Sequence, residues 1–94
     1  MAYSVEQAVK NLNDSYMKTK KNEFVVDRAY GGCKICITGK SKKVRGKWVW
    51  TGIGSGQATI TSGYVSAKDT LAQLALILSN KNNFKKLIDR YENR

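Results

Sequence analysis

Residues 39–50, with the sequence GKSKKVRGKWVW, combine cations and aromatic side chains in a pattern typical of nucleic-acid binding. No acidic residue interrupts this stretch. Lysine and arginine bind phosphates with release of counterions, and aromatic rings stack on bases at about 1–3 kcal/mol per base. The candidate nucleic-acid-binding residues here are Lys40, Lys42, Lys43, Arg45, Lys47, Trp48 and Trp50.

Trp48 and Trp50 lie two positions apart, so they share one face of a strand. If Gly54-Ser55 is a two-residue turn, Val49 pairs with Ile60 and the indoles lie opposite the aliphatic face, beside the lysines. If the turn is one residue longer, or if the first helix covers that face, the indoles belong to the core. Both interpretations remain open.

The net charge of +10 is concentrated in three clusters. The first contains Lys18, Lys20 and Lys21, which extend the candidate binding path, the second is the stretch 39–47, and the third is the segment 80–94. Clustered positive charge favours a polyanion as partner. The alternative is a basic surface that only keeps the protein soluble, with lysines that discourage strand pairing.

Cys33 and Cys36 have the CxxC spacing of metal and redox sites. A structural zinc site needs four ligands, whereas the chain has two cysteines and no histidine. In a strand these residues point to opposite faces, so we expect two structural thiols. We expect no metal and no cofactor. The missing histidine and seven scattered carboxylates also predict that the chain is not an enzyme.

Capping patterns and apolar spacing predict the helices. Ser4 and Gln7 begin the first helix, which should fade in 18–21. Ser66 and Asp69 begin a second helix, 67–78, so apolar that it should be buried on more than one side. After a break over 80–83, a short amphipathic helix covers 84–91.

Alternating apolar residues predict four strands. The first two, 23–30 and 33–38, form a hairpin around Gly31-Gly32, in which Arg28 faces Ile35 and Tyr30 belongs to the core face. A basic loop, 39–43, leads to a third strand that ends near Ile53, and the fourth covers 57–64.

These elements predict an α+β fold, a four-stranded antiparallel sheet with an N-terminal helix and two C-terminal helices, in the order α-β-β-β-β-α-α. The length of 94 residues predicts a single domain, 1–94. No signal peptide or membrane span is apparent, so we expect an intracellular, cytoplasmic protein without a membrane partner.

Gly46-Lys47-Trp48, followed by a turn and the helix at 66–74, resembles the DNA-binding arm domains of tyrosine recombinases. Four strands followed by a helix are also similar to positive-cofactor-four-like single-strand binders. Both resemblances imply DNA binding. Neither includes a diagnostic motif, so the chain is assigned to neither family.

Two functional hypotheses follow. The first is a small, basic, non-enzymatic protein that binds DNA or RNA through the 40–47 hairpin and the adjacent tryptophans. The second is a protein-binding inhibitor or accessory protein of a phage or mobile element. It would target a host protein or nucleoprotein through the uncharged 51–66 segment or the apolar helix, which also allows a homodimer.

Overall fold

The computed structural model describes the backbone of residues 4–50 and 57–93, and the side chains of those residues except 41–44, 48–50 and 57. The fold belongs to the α+β class, with an N-terminal helix and two C-terminal helices. In chain order the elements are α1 (Val5–Leu12), a π-helical segment (Asn13–Met17), β1 (Asn22–Ala29), β2 (Gly32–Gly39), β3 (Ser41–Val44), β4 (Lys47–Trp50), β5 (Gln57–Thr59), α2 (Ala67–Leu78) and α3 (Lys81–Glu92).

The predicted four-stranded sheet is wrong. The described strands form a three-stranded antiparallel sheet, in the order β1-β2-β5, and a separate antiparallel pair of β3 with β4. The basic segment predicted as a loop is itself a strand, because the chain reverses at Arg45-Gly46, where both φ angles are positive (52° and 81°). Positive φ at both central residues is typical of a tight hairpin turn.

The β1–β2 hairpin turns one residue earlier than predicted. Tyr30 and Gly31 occupy its turn, with φ angles of 54° and 75°, so Arg28 pairs with Cys33 rather than with Ile35. The pairing therefore shifts by two residues. Because side chains alternate between the two faces of a strand, an even shift leaves the remaining side chains of both strands on their predicted faces. Tyr30 was predicted in the core and is instead 93% exposed.

The core lies between one face of the three-stranded sheet and the three helices. The phenyl ring of Phe24 on β1 stacks on that of Phe84 on α3, with a centroid separation of 5.8 Å, and Tyr16 packs edge-on against Phe84 at 5.0 Å. The first helix begins as predicted, with Ser4 Oγ accepting the N–H of Gln7. Other buried core residues are Val5, Val9, Leu12, Met17, Ile35, Ile37, Leu74 and Ile88.

The π-helical segment joins α1 to the edge of the sheet. The side-chain amide of Asn13 donates to the Phe24 carbonyl (2.9 Å), and its oxygen accepts the Phe24 N–H (2.8 Å). This amide supplies the hydrogen bonds that a further strand would supply at β1. A π-helical turn contains more residues than an α-helical turn. Such turns are rare and frequently occur at functional sites.

The second helix is less buried than its composition predicts. It begins as predicted, with Ser66 Oγ accepting the N–H of Asp69 (3.2 Å), but only Thr70 and Leu74 are buried. Leu76 is 74% exposed. The expected burial on more than one side is therefore wrong for the described residues. The last helix begins at Lys81, capped by the Asn80 side chain, so the predicted break is shorter than expected.

Candidate nucleic-acid interface

The β3–β4 hairpin carries the centre of the predicted site. Its register pairs Lys43 with Trp48 and Ser41 with Trp50. Directly paired residues lie on the same side of an antiparallel ribbon, so the backbone places these four positions on one side. The turn residues and Lys47 are exposed. One side of the hairpin therefore carries the position of one lysine beside those of both tryptophans.

Some of the predictions for this stretch lie outside the described residues. This holds for the Gly54-Ser55 turn, and for the side chains of Lys42, Lys43, Trp48 and Trp50, whose contacts with phosphates and bases stay predictions. The pairing predicted from that turn is not observed in the described part. Val49 lies opposite Lys42, and Ile60 donates its N–H to the Ile35 carbonyl of β2 (2.8 Å).

Lys40 has a structural partner rather than an open position at the surface. Its Nζ donates to the carbonyl of Met17 (2.6 Å) and to that of Lys18 (3.4 Å). These carbonyls end the N-terminal helix, where the helix dipole and unsatisfied oxygens favour a cation. This cation therefore stabilises the helix end as well as adding to the basic surface.

The loop 18–21 is attached directly to the base of the hairpin. The N–H of Lys40 donates to the carbonyl of Lys21 (2.9 Å), extending the β1–β2 pairing by one bond. In the loop, Lys18 is exposed and Lys20 partly so. Two of the three basic clusters of the sequence are thus adjacent in space, as a continuous binding path requires.

A carboxylate on α3 holds the third cluster against the same loop. Glu92 accepts the N–H of Lys21 at Oε1 (2.9 Å) and the N–H of Asn22 at Oε2 (3.1 Å). The buried Asn22 amide also donates to the Tyr91 carbonyl (3.2 Å). These bonds fix the C-terminal end of α3 beside 18–21.

Lys20 and Lys85 line one surface depression of about 260 Å³, together with Tyr16 and Asp89. No described residue forms an ion pair with either lysine. The sequence shows the positive charge of 80–94, but no binding residue was predicted in that segment. The sequence signal that could have indicated a binding face on this helix is the spacing of Lys81 and Lys85, which lie four residues apart on one side of it.

Three carboxylates of the described part are engaged away from the basic loop. Glu6 accepts from the guanidinium of Arg28, a hydrogen bond that lowers the pKa of the glutamate and raises that of the arginine. Asp14 pairs with Lys10 at 3.1 Å. Asp27 Oδ2 accepts the hydroxyl of Tyr64 at 2.7 Å. These acids do not neutralise the basic loop.

The two cysteines point to opposite faces of β2, as predicted. Both are buried and free. Cys33 lies in the core with its Sγ 3.4 Å from Thr70 Oγ1, and burial raises the pKa of the Cys36 thiol. Among the described residues no three potential metal ligands lie together. A raised thiol pKa disfavours the nucleophilic thiolate.

Comparison of the chain with protein-family models, with curated proteins and with solved structures finds no match to any of them. Within 4–50 and 57–93, none of the helices has the length and apolar content needed to cross a membrane.

Proposed function

We propose that this protein is a small, non-enzymatic nucleic-acid-binding protein. The observation that carries the proposal is the meeting of three basic clusters at one loop. The hairpin is bonded to 18–21 through Lys40 N–H, and α3 is bonded to it through Glu92. These bonds bring segments far apart in sequence next to one another, which supports a single extended basic surface as the proposed binding site.

Phosphate binding suits this surface because the cations outnumber the acids beside it. Each phosphate neutralised by lysine or arginine releases condensed counterions, which makes binding favourable and strongly dependent on salt. Arg45 at the exposed turn is suited to a bidentate phosphate contact. Trp48 and Trp50 are proposed to stack on bases next to these contacts.

A salt titration tests the proposal. Binding of labelled DNA and RNA oligonucleotides, measured by fluorescence anisotropy, should weaken steeply between low and moderate salt. The variant with Arg45→Ala and Lys47→Ala should bind more weakly. The slope of log affinity against log salt should shrink by roughly 1 for each cation removed. The variant with Lys20→Ala and Lys85→Ala should also bind more weakly and show a smaller salt slope.

Lys68→Ala is the matched control, because Lys68 is an exposed lysine in the first turn of α2, outside the three clusters. It should leave the affinity and the salt slope nearly unchanged. The proposal would be overturned if neither DNA nor RNA bound at low salt, or if Lys68→Ala weakened binding as much as the other variants.

A second candidate function, binding to an acidic protein or nucleoprotein, is favoured by the exposed Leu76. This side chain borders an apolar groove of about 250 Å³ between α2 and α3, lined also by Ile60, Ile77 and Leu87. The helix α3 carries the exposed cations Lys81, Lys85, Lys86 and Arg90, so an acidic partner would be complementary in charge. This would be the inhibitor or accessory role expected above.

Capture of an acidic partner after nuclease treatment tests this candidate. Leu76→Lys should abolish retention of the partner, and Ala72→Lys, on an exposed position of the same helix, should not. Light scattering tests whether a second copy of the chain, rather than an acidic partner, occupies the groove. A doubled mass that Leu76→Lys returns to that of the monomer would show a homodimer and would contradict the acidic partner.

A further inference from the structure

A second cavity lies beside the basic depression, between the N-terminal helical segment and α2. Its volume is about 320 Å³, at the lower end of the range for pockets that bind small organic groups. The walls are mainly apolar, with Leu12, Leu71, Leu74 and Leu78 among the lining residues. Asn11 and Ser15 add polar groups. Such a cavity suits a flat group with apolar faces and a polar edge.

The apolar cavity and the basic depression share a wall. Ser15 and Tyr16 line both of them. The ring of Tyr16 is held by its edge-on contact with Phe84, at an interplanar angle of 84°. A ligand with an apolar group joined to an anion could therefore fill both spaces across Tyr16.

The charge of the depression matches a single phosphodiester. Lys20 and Lys85 carry two positive charges there, and the carboxylate of Asp89 lines the same space. Two ammonium groups and one carboxylate leave one net positive charge, the complement of one phosphodiester. A nucleotide unit is a flat base, with apolar faces and a polar edge, joined through a sugar to such an anion.

We infer that the cavity accepts one unpaired base of a single-stranded nucleic acid, whose adjacent phosphate binds between Lys20 and Lys85. This inference rests on the proposed function and specifies its substrate. A base in a duplex is stacked and paired, so it cannot enter without being extruded. Unpaired bases are the ones that proteins hold against aromatic rings and bind through their polar edges. Single strands should therefore bind more tightly than duplexes of equal charge.

The test compares two oligonucleotides of the same length and charge, a single-stranded oligodeoxyadenylate and its abasic analogue, by fluorescence anisotropy. One pocketed base should contribute about 1–3 kcal/mol, a factor of roughly 5 to 150 in the ratio of the two affinities. Ala75→Phe should fill the cavity from its rim, where Ala75 is exposed, and should lower this ratio at least about fivefold.

The control is Ala72→Phe, at an exposed position of the same helix outside the cavity lining, which should leave the ratio unchanged. Tyr16→Leu should also lower the ratio, but Tyr16 packs on the core, so Ala75→Phe is the decisive variant. Circular dichroism checks that each variant is folded.

The outcomes separate this inference from the proposed function. If neither oligonucleotide binds at low salt, the proposed function fails and this inference fails with it. If both bind and Ala75→Phe leaves the ratio unchanged, while Trp50→Ala lowers it, the base contacts lie on the hairpin. The proposed function then stands and the cavity inference is overturned.

Discussion

The ammonium group of Lys40 lies 2.6 Å from the main-chain oxygen of Met17, at the end of the N-terminal helix. A residue predicted to bind phosphate thus has an internal structural role. The same lysine continues the β1–β2 pairing through its main-chain N–H, which donates to Lys21. The two roles of the Lys40 side chain, phosphate binding and stabilisation of the helix end, predict different effects of a substitution.

Lys40→Met should reduce the free energy of unfolding by about 1–2 kcal/mol, because it removes a charged donor from the last carbonyls of the helix. Lys47→Met, at an exposed position, should change stability by less than about 0.5 kcal/mol and weaken nucleic-acid binding. Urea unfolding and the salt titration measure the two effects. Unchanged stability with a reduced salt slope for Lys40→Met would show that the lysine acts mainly on phosphate.

Asn13→Ala should destabilise the protein by about 1–3 kcal/mol, since the Phe24 N–H and carbonyl both lose their amide partner. The Phe24 amide should also exchange with solvent faster than in the original protein. Denaturant unfolding and hydrogen exchange measured by NMR test this. Asn82→Ala, at an exposed position of α3, is the control and should have little effect. Equal losses in the two variants would contradict the role given to the π-helical segment.

Gly32→Ala should be destabilising by about 1–3 kcal/mol, because a Cβ at this position would lie 2.9 Å from the Val65 carbonyl oxygen. That oxygen accepts the Cys33 N–H, so the backbone has little freedom to move away. Gly63→Ala is the matched control, since a Cβ there would meet nothing within 4 Å. Thermal unfolding compares them, and equal midpoints would refute the close approach.

Tyr64 should titrate far above an ordinary tyrosine. Its hydrogen bond to Asp27, followed by burial and the nearby carboxylate charge, raises the pKa of Tyr64 from 10.0 to about 12. The folded protein therefore retains a proton that the unfolded chain releases. The resulting stabilisation is fully present below about pH 10 and is lost as the pH rises through about 12.

Ultraviolet titration of tyrosinate measures this directly, and Asp27→Asn should return the pKa of Tyr64 towards its usual value. Stability should fall less steeply between pH 10 and 12 in Tyr64→Phe than in the original protein. If the two proteins had parallel pH profiles there, the phenol–carboxylate hydrogen bond would not contribute in solution.

Local rules predicted the elements that depend on local chemistry. Ser4 and Ser66 cap their helices as their spacing indicates, and alternation placed the two cysteines on opposite faces. A hairpin over 40–47 was expected, but strand β3 was predicted as a loop because its lysines are typical of loops and because Arg45, a non-glycine residue, adopts positive φ at the turn. Nothing near in sequence to the basic loop indicates that Glu92 would bind to it. Local sequence patterns therefore could not predict that the basic clusters lie next to one another.

The hydrogen bonds of Glu92 with Lys21 and Asn22 join positions 71 and 70 residues apart. Contacts between residues so far apart close a long loop. They can offset the entropic cost of closing that loop only when both of its ends have been synthesised. During synthesis, a chain that lacks α3 cannot fasten the 18–21 loop or bring Lys85 beside Lys20. The polypeptide therefore acquires the loop–helix part of the basic surface only after α3 has been made.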